Sequence, residues 1–449
     1  MFGDDDGTPA PPAGTKAGKD AQGANAEPSA DELGDDRIHG AAVENTELLH
    51  RDRLQIGGFF YARNGMSYGQ GDSIGHVGLS QSTLFDAYFD GHLNERVRSF
   101  VRARLIYNPL ADVPSSSPLA AFGQTTTQEA RYLLDQAWIK TDWNRTVFFT
   151  LGQQHLRWGT THVWNPVDVI NPTRFNPLAF FDERVGVPML KIDVPFEKLG
   201  WNWSMLFLTD NAVTADHVGA ATRLDMAASS HFGEKGVLAG GLGFTGKAQR
   251  GQDPKAGVDA SLTVDDFDFI AELGVATPWE VAANSSRPWN WTLAAGGSWT
   301  WAYREDDSLV LSFEYFHNPT GVTADQVIAS YQKAFIASPT SPQLPVYTPL
   351  YTGKDYLAVI ATVISPGSWI DATITALALE NLTDKSGVGR LALSDLVLTD
   401  LTVEAYVSGN YGDGELRGYV PMLKPLLGTL GSNMYAPLLG AGINLRVNL

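Results

Sequence analysis

The sequence predicts an all-β chain that folds as a single antiparallel transmembrane β-barrel of about 18 strands, within a range of roughly 16 to 20. Three observations predict this fold. Strand-like segments of roughly 8 to 12 residues recur from Arg53 to the C-terminus. The connections between these segments alternate between long and short. Aromatic residues gather at the strand ends, as they do where barrel strands meet a membrane surface.

The composition fits this fold and excludes several others. The 449 residues include 45 glycines and no cysteine, so disulfide frameworks, zinc fingers and thiol nucleophiles are excluded. A formal net charge of −18 argues against nucleic acid as a partner, because phosphate binding requires a basic surface. The chain has no apolar run of about 18 residues, so no transmembrane helix is predicted.

The first segment, from residue 1 to about residue 45, consists mainly of Gly, Ala, Pro and charged residues. It cannot bury enough apolar surface to offset its chain entropy, so we expect a disordered, acidic, periplasmic tail ahead of a barrel over 46–449. The N-terminus lacks the basic start and apolar stretch of a signal peptide, and we therefore expect a processed form of an exported chain.

The predicted strands follow one another to the end of the chain. They are placed near 53–62, 83–91, 96–107, 130–141, 146–157, 186–194, 201–209, 221–231, 237–247, 257–264, 267–276, 290–302, 308–317, 355–365, 368–380, 388–397, 401–409 and 438–449. The last of them is apolar on one side, through Ala441, Ile443, Leu445, Val447 and Leu449. Its other side carries Asn444, Arg446 and Asn448, which we expect to line the lumen.

The connections predict which end of the barrel is which. Long loops are expected at Arg63–Ser82, Asn108–Glu129, Trp158–Val185, Asn318–Lys354 and Asn410–Pro437. Short turns are expected at His92–Glu95, Asp142–Arg145, Pro195–Gly200, Asp265–Asp266, Pro366–Gly367 and Leu398–Asp400. Outer-membrane barrels have long extracellular loops and short periplasmic turns, and an even number of strands leaves both termini on the periplasmic side.

Aromatic residues also gather at the end of the barrel that has the short turns. In the segment 290–302, Trp291, Trp299 and Trp301 share one face with small apolar residues, and Trp201 and Trp203 lie beside a short turn. Such clusters match the aromatic girdles of membrane barrels.

Four arginines share one face of the third strand: Arg96, Arg98, Arg102 and Arg104. Asp86 and Asp90 lie on the polar face of the strand before it, across a short turn. These residues are the predicted pore lining. One interpretation is a charged ladder that sets pore selectivity, since rings of arginine favour anions. The other is an ion-pair network that satisfies a polar barrel interior. Other expected lumen charges are of mixed sign: Lys191, Asp193, Arg223, Asp225, Glu314, Asp371, Glu404 and Arg446.

The densest motif runs from Leu151 to Pro172, as LGQQHLRWGTTHVWNPVDVINP. It resembles a segment of porin-like bacterial outer-membrane proteins, in which a Gly-Arg-Gln strand end leads into Trp-Gly and then an Asn-Pro loop. Gln153 stands where that pattern usually has Arg. The stretch from Glu380 to Gly387 is similar to a recurring hairpin of such proteins. The resemblance implies an outer-membrane channel and names no substrate.

The same loop is too apolar to be freely solvated, because Trp158, Trp164, Phe175, Phe180 and Phe181 lie close together in it. We expect it to fold inward and narrow the pore, and a structural plug or a rim cluster is an equal alternative. The constriction residues are predicted to be His155, Arg157, Trp158, Trp164 and Asp168, with His162 nearby. No metal, cofactor or catalytic residue is predicted, because the two histidines lack a fixed geometry and no nucleophile elbow or Walker loop occurs.

Two loop segments have helical spacing, Thr323–Ala337 and Gly418–Asn433, and both are expected to pack loops together. The favoured function is passive diffusion of small polar solutes or ions across the outer membrane of a Gram-negative bacterium. The rival is a closed structural barrel that anchors an envelope or surface complex, and a third option is a soluble secreted β-protein. Expected partners are outer-membrane lipid, lipopolysaccharide and small solutes. Other envelope proteins and a second copy of the chain are further candidates.

Overall fold

The chain forms a closed ring of 18 antiparallel strands in a computed structural model. The structure describes residues 53–69, 77–110, 129–171, 177–178, 184–210, 212–232, 236–250, 252–276, 290–304, 307–337, 350–419, 422 and 437–449. Each strand pairs with the next one in sequence, and the first strand also pairs with the last. The sheet therefore has no free edge, which confirms the predicted barrel and its strand number.

The strands take nearly the predicted positions, and most ends agree with the prediction to within two residues. In chain order, β1 to β18 are Leu54–Gly69, Gly78–Asn94, Val97–Tyr107, Ala130–Trp143, Val147–Gln154, Val187–Phe196, Trp201–Leu208, Gly219–Phe232, Gly236–Gln249, Gln252–Val264, Phe267–Ala276, Asn290–Ala302, Ser308–His317, Asp355–Ile364, Ala372–Asn381, Ser386–Leu398, Leu401–Tyr411 and Pro437–Asn448.

One end of the barrel carries the long connections and is called the long-loop end below. The predicted loop Arg63–Ser82 is shorter than expected, because β1 continues to Gly69 and β2 begins at Gly78, with Arg63 paired to Ser82. Two connections at this end are also tight, namely 250–251 and 382–385. The opposite, short-turn end has connections of seven residues at most among all its turns, the longest being 365–371.

The two faces of each strand differ as the alternation of residues predicts. In β13, Leu311 and Phe313 point outward and are exposed, whereas Glu314 and Phe316 point inward and are buried. Ile443 and Leu445 are likewise exposed on the outside of β18, and Asn444 is buried inside. An apolar exterior and a polar interior are the reverse of a soluble protein and suit a barrel surrounded by lipid.

Aromatic side chains surround the short-turn end on the outside. Trp143, Trp201, Trp203, Trp301 and Tyr303 are all exposed there. The rings of Trp299 and Trp301 stack at 6.1 Å with an interplanar angle of 4°. The predicted aromatic belt is therefore present at this end, at the level where such rings meet a membrane interface.

Helix α1, Ala324–Ala337, lies in the long connection between β13 and β14, as predicted. Its start is capped, because the side chain of Gln326 accepts a hydrogen bond of 2.9 Å from the backbone N–H of Thr323. Val327, Ile328 and Tyr331 are buried on one face. Within the described ranges, no helix is both long enough and apolar enough to span a membrane.

Two expectations fall on residues that the structure does not describe. The N-terminal tail 1–45 lies outside the described residues, and so does most of the second loop helix, Gly418–Asn433.

Candidate functional site: a loop folded into the barrel lumen

The predicted arginine column lies on the inward face of β3 and is paired with acids of its neighbours. The Nε of Arg102 lies 2.8 Å from Asp86 Oδ1, and the Nε of Arg104 lies 2.9 Å from Asp86 Oδ2. Arg98 donates two hydrogen bonds to the carboxylate of Asp90, at 2.9 and 2.7 Å. These contacts form the ion-pair network that was one of the two interpretations of the column.

The fourth arginine is placed differently. Arg96 lies in the turn before β3 and is exposed, because the strand begins at Val97 rather than at residue 96. The side chain of Asn94 accepts hydrogen bonds from the backbone N–H groups of Arg96 and Val97, which fixes this turn. Arg96 therefore does not continue the inward column of β3.

A β-bulge in β4 adds a third acid to the network. The register between β3 and β4 shifts after Arg102, so that Asp135 and Gln136 both lie buried inside the barrel. Asp135 contacts the guanidinium of Arg104 at 3.1 Å and the ring of His155 at 2.6 Å. Sequence periodicity alone could not find this acid, since a bulge breaks the alternation on which it depends.

The connection from β5 to β6, residues 155–186, is called the inward loop below. The described part of it enters the lumen and crosses to β11 and β13, on the wall opposite β4. The described part of the segment therefore lies inside the barrel, and its role as a constriction stays a prediction. Phe175, Phe180 and Phe181, which helped to predict this, lie outside the described residues.

Two carboxylates of the barrel wall hold the tip of the inward loop. Glu314 of β13 accepts hydrogen bonds from the backbone N–H groups of His162, Val163 and Trp164, the shortest being 2.6 Å. Glu272 of β11 accepts from the N–H groups of three further residues at 2.5 to 3.2 Å: Thr160, Thr161 and Val167. Each buried carboxylate therefore satisfies three backbone donors that no strand or helix would pair.

The Trp-Gly pair of the motif allows the backbone of the loop to lie this close to Glu272. Gly159 has a φ of +107°, a conformation that side chains rarely adopt, and a Cβ there would lie 2.4 Å from Glu272 Oε1. Glycines of the barrel wall also allow the loop to lie close to the strands. A Cβ at Gly274 would lie 2.5 Å from the carbonyl oxygen of Pro166, and one at Gly257 would lie 2.9 Å from Val167. The Asn-Pro segment thus rests directly on the backbone of β10 and β11.

Apolar side chains of the loop fill two sides of the lumen. Trp158 packs with the loop's own Val169 and Ile170 against inward residues of β6, β7 and β8. Trp164, which is fully buried, stacks on Phe316 of β13 at 5.6 Å and lies 5.7 Å from the ring of Tyr356 of β14. Its indole N–H donates to the carbonyl of Leu350 at 3.0 Å. The loop is therefore packed like a core element on this half of the barrel.

The remaining predicted constriction residues stabilise the loop from within. Asp168 accepts hydrogen bonds of 2.8 Å from Arg184 and of 2.8 and 2.9 Å from Asn171, which closes the Asn-Pro segment on itself. Arg157 donates to the carbonyl oxygens of Thr161 and His162. Loss of solvation inside the barrel and the nearby Arg157 guanidinium lower the pKa of His162, so its ring is neutral at neutral pH.

The described residues include no group of three or more His, Asp or Glu side chains arranged to hold a metal ion. Of the two wall carboxylates, the sequence predicts that Glu314 faces the lumen and predicts no such role for Glu272. The only sequence signal for Glu272 is its position between apolar residues of β11, in Phe-Ile-Ala-Glu-Leu-Gly. More than 100 residues separate each acid from its partners in the loop, so no local pattern in the sequence predicts these contacts.

A second polar cluster joins three connections at the long-loop end. The fully buried Glu415 accepts hydrogen bonds from the hydroxyl of Tyr356 at 2.5 Å, the amide of Asn381 at 2.5 Å and the N–H of Thr352 at 3.2 Å. Burial is the main cause that raises the pKa of Glu415 to about 7. Because Tyr356 also packs on Trp164, this cluster touches the inward loop through one side chain.

Comparison with known proteins places the fold. No protein-family model matches the chain, and no curated protein matches its sequence. A BenF-like porin from Pseudomonas fluorescens Pf-5 superposes with a TM-score of 0.51 at 8% identity, over 89% of this chain and 99% of the porin. The outer membrane protein OpdK from Pseudomonas aeruginosa gives a TM-score of 0.47 at 9% identity, over 88% and 98%. At such identities, the likeness to the BenF-like porin concerns the fold alone.

Proposed function

We propose that this chain is a porin-like channel of a bacterial outer membrane, through which small polar solutes or ions diffuse passively. The observation that carries the proposal is the closed ring of 18 strands, apolar outside and polar inside, with a loop packed against the inner wall. A barrel of this strand number is wide enough for an aqueous passage when a loop occupies part of it.

The proposed partners follow from the apolar outer face and the polar inner face of the barrel. The exposed apolar band and its aromatic belt fit outer-membrane lipid and lipopolysaccharide, and the polar lumen fits small solutes. The proposal includes no enzymatic activity and no nucleic-acid partner. The buried histidine–aspartate contact of His155 and Asp135 is part of the ion-pair network with Arg104. Other envelope proteins and further copies of the chain remain candidate partners.

The test is single-channel recording of the detergent-purified protein in planar lipid bilayers. We expect stepwise conductance that is open without an applied ligand. The matched control is the same preparation after heat denaturation, which should give no steps. A folded barrel that inserts into lipid and never conducts would contradict the proposal.

That negative outcome would favour the second candidate, a closed structural barrel that anchors an envelope complex. The observation that supports this alternative is the apolar packing of Trp158 and Trp164 inside the lumen, which resembles a plug as well as a constriction. Solubility of the folded protein without detergent would contradict both membrane functions.

A further inference from the structure

A group of polar side chains lies on the outer face of the barrel at its long-loop end. In β13 the side chain of Phe316 is buried inside, so its neighbours Tyr315 and His317 point outward. Asp355, which pairs with His317 across β13 and β14, lies on the same outward face. A charged side chain is costly in hydrocarbon, so this part of the wall lies at the level of the lipid headgroups.

The carboxylate of Asp355 is held at only one of its two oxygens. Its Oδ1 accepts a hydrogen bond of 2.5 Å from the hydroxyl of Tyr315 and lies 2.7 Å from Nδ1 of His317. Among the described residues no hydrogen bond reaches Oδ2, and 35% of the side chain is exposed. Oδ2 is therefore available to accept a hydrogen bond from a molecule outside the barrel, with Tyr315 and His317 fixing its direction.

An exposed aromatic ring borders this carboxylate. Trp291 of β12 is 44% exposed on the outer face, and its ring lies 5.1 Å from that of His317 at an interplanar angle of 36°. A sugar ring has an apolar face of C–H groups and hydroxyl donors around its edge. A flat aromatic ring beside an oriented carboxylate matches both features, because the ring contacts the apolar face and the carboxylate accepts from a hydroxyl.

Two exposed lysines extend this group toward the loops. Lys354 directly precedes Asp355, and Lys385 ends the tight turn 382–385 between β15 and β16. That turn is fixed to β14, since Oγ1 of Thr383 accepts hydrogen bonds from the backbone N–H groups of Lys354 and Asp355 at 2.8 and 3.0 Å. Neither lysine forms an ion pair with another described residue. Their ammonium groups are suited to a phosphate at this level.

On the other side of the carboxylate, toward the short-turn end, the same strands are apolar outside. Leu311 and Phe313 of β13 and Val359 of β14 are exposed there. From the long-loop end downward, the outer wall thus presents cations, then an aromatic ring with a carboxylate, then an apolar surface. A phosphorylated glycolipid has its phosphates, sugars and acyl chains in a matching arrangement.

We propose that this surface, called the rim site below, binds one phosphorylated glycolipid of the outer leaflet. The rim site consists of Trp291, Tyr315, His317, Lys354, Asp355 and Lys385. The sugar contacts Trp291 and donates a hydroxyl to Asp355, the phosphate contacts the lysines, and the acyl chains lie on the apolar wall. This inference rests on the proposed outer-membrane channel with its long loops outside, and it assigns the lipid partner to named residues.

The test is native mass spectrometry of the detergent-purified barrel with added lipid A or phosphatidylglycerol. We expect one lipid A to bind at least roughly tenfold more tightly, because phosphatidylglycerol has the phosphate but no sugar ring. Asp355→Asn replaces Oδ2 with an NH2 group and should weaken lipid A binding about tenfold, with no effect on phosphatidylglycerol. The double variant Lys354→Gln/Lys385→Gln should weaken binding of both lipids by at least roughly fivefold. Two separate variants keep the test decisive if one fails to fold.

Arg131→Gln is the matched control. It removes an exposed cation from the start of β4, which lies across the ring of 18 strands from β13, and should leave both affinities unchanged. Equal affinity for the two lipids would overturn the inference, and so would lipid A binding that neither variant weakens. Single-channel conductance of the same preparations separates this result from the proposed function. The rim site faces away from the lumen, so both variants should conduct like the wild type, and a failure of the rim site leaves the channel function intact.

Discussion

The hydrogen bonds from the backbone of the inward loop to Glu314 and Glu272 are called the clasp below. A single isosteric change can weaken the part of the clasp that Glu314 forms. In Glu314→Gln, one carboxylate oxygen becomes an NH2 group, which cannot accept a hydrogen bond. In the structure both oxygens accept, since Oε1 pairs with the N–H of Trp164 at 2.6 Å and Oε2 with that of His162 at 2.8 Å. The variant must therefore leave at least one backbone donor facing another donor inside the barrel.

The expected cost follows from this geometry. Hydrogen bonds to a charged group contribute about 1.5 to 3 kcal/mol, and an unsatisfied buried donor costs about 1 to 3 kcal/mol. We expect the docked loop to lose about 2 to 4 kcal/mol relative to an undocked loop. Because 1.4 kcal/mol corresponds to about tenfold in an equilibrium, the undocked population should rise by roughly 30- to 1,000-fold.

Hydrogen–deuterium exchange measures that population directly. The amide protons of residues 162–164 are the donors of the clasp, so their exchange should accelerate by the same factor, while strand amides of β12 and β14 stay protected. Glu380→Gln is the control, since Glu380 lies in β15 and its carboxylate accepts a hydrogen bond from the hydroxyl of Tyr411 in β17. Unchanged exchange at residues 162–164 in Glu314→Gln would refute the reasoning.

Three further predictions follow from the same packing. Trp164→Ala should destabilise the docked loop by about 3 to 5 kcal/mol, because it removes the stacking on Phe316 and the hydrogen bond to the carbonyl of Leu350. Single-channel conductance should rise as a result, and conductance equal to wild type would contradict this prediction. Gly274→Ala should displace Pro166 from β11 and increase protease cleavage within the loop, whereas Gly389→Ala, where a Cβ would meet nothing within 4 Å, should not. The unfolding free energy should fall as pH rises from about 4.5 to about 7, by on the order of 3 kcal/mol, since the folded state keeps a proton on Glu415 that the unfolded chain has lost. Melting temperatures at about pH 5 and about pH 8 test this, and Glu415→Gln should abolish that part of the difference.

Much of the fold could be predicted from the sequence because a barrel strand repeats its pattern every two residues. The alternation predicts the observed bounds of β11, β12 and β13. It also predicts that Asn444 and Arg446 of the last strand, β18, lie on its inward face. The prediction of strand ends fails where apolar and polar residues do not alternate clearly. The ends of β1 and β2, toward Gly69 and Gly78, are rich in small and polar residues, so the sequence predicts a loop where the two strands in fact pair.

The candidate site could be predicted only in part, for reasons of distance along the chain. Adjacent strands bring Asp86 to Arg104, and the short turn between them made that pairing predictable. The clasp of Glu272 and Glu314 joins residues far apart in sequence, and the bulge at Asp135 depends on a register shift that no local pattern encodes. The direction of the inward loop was indicated by its aromatic residues, but its anchors were not.

The clasp also bears on the order in which the molecule assembles. The loop leaves the sheet after β5, yet its acceptors are on β11 and β13, and Trp164 belongs to a buried cluster that extends along the chain as far as Val388 of β16. Long-range contacts of this kind form only after the entropy of closing the intervening chain has been overcome. An unfinished sheet that ends before β11 has no acceptor for the loop, and its lumen is unconstricted. We therefore expect the narrow passage to appear late in folding, together with the pairing of β1 and β18, so that only a completed barrel filters solutes.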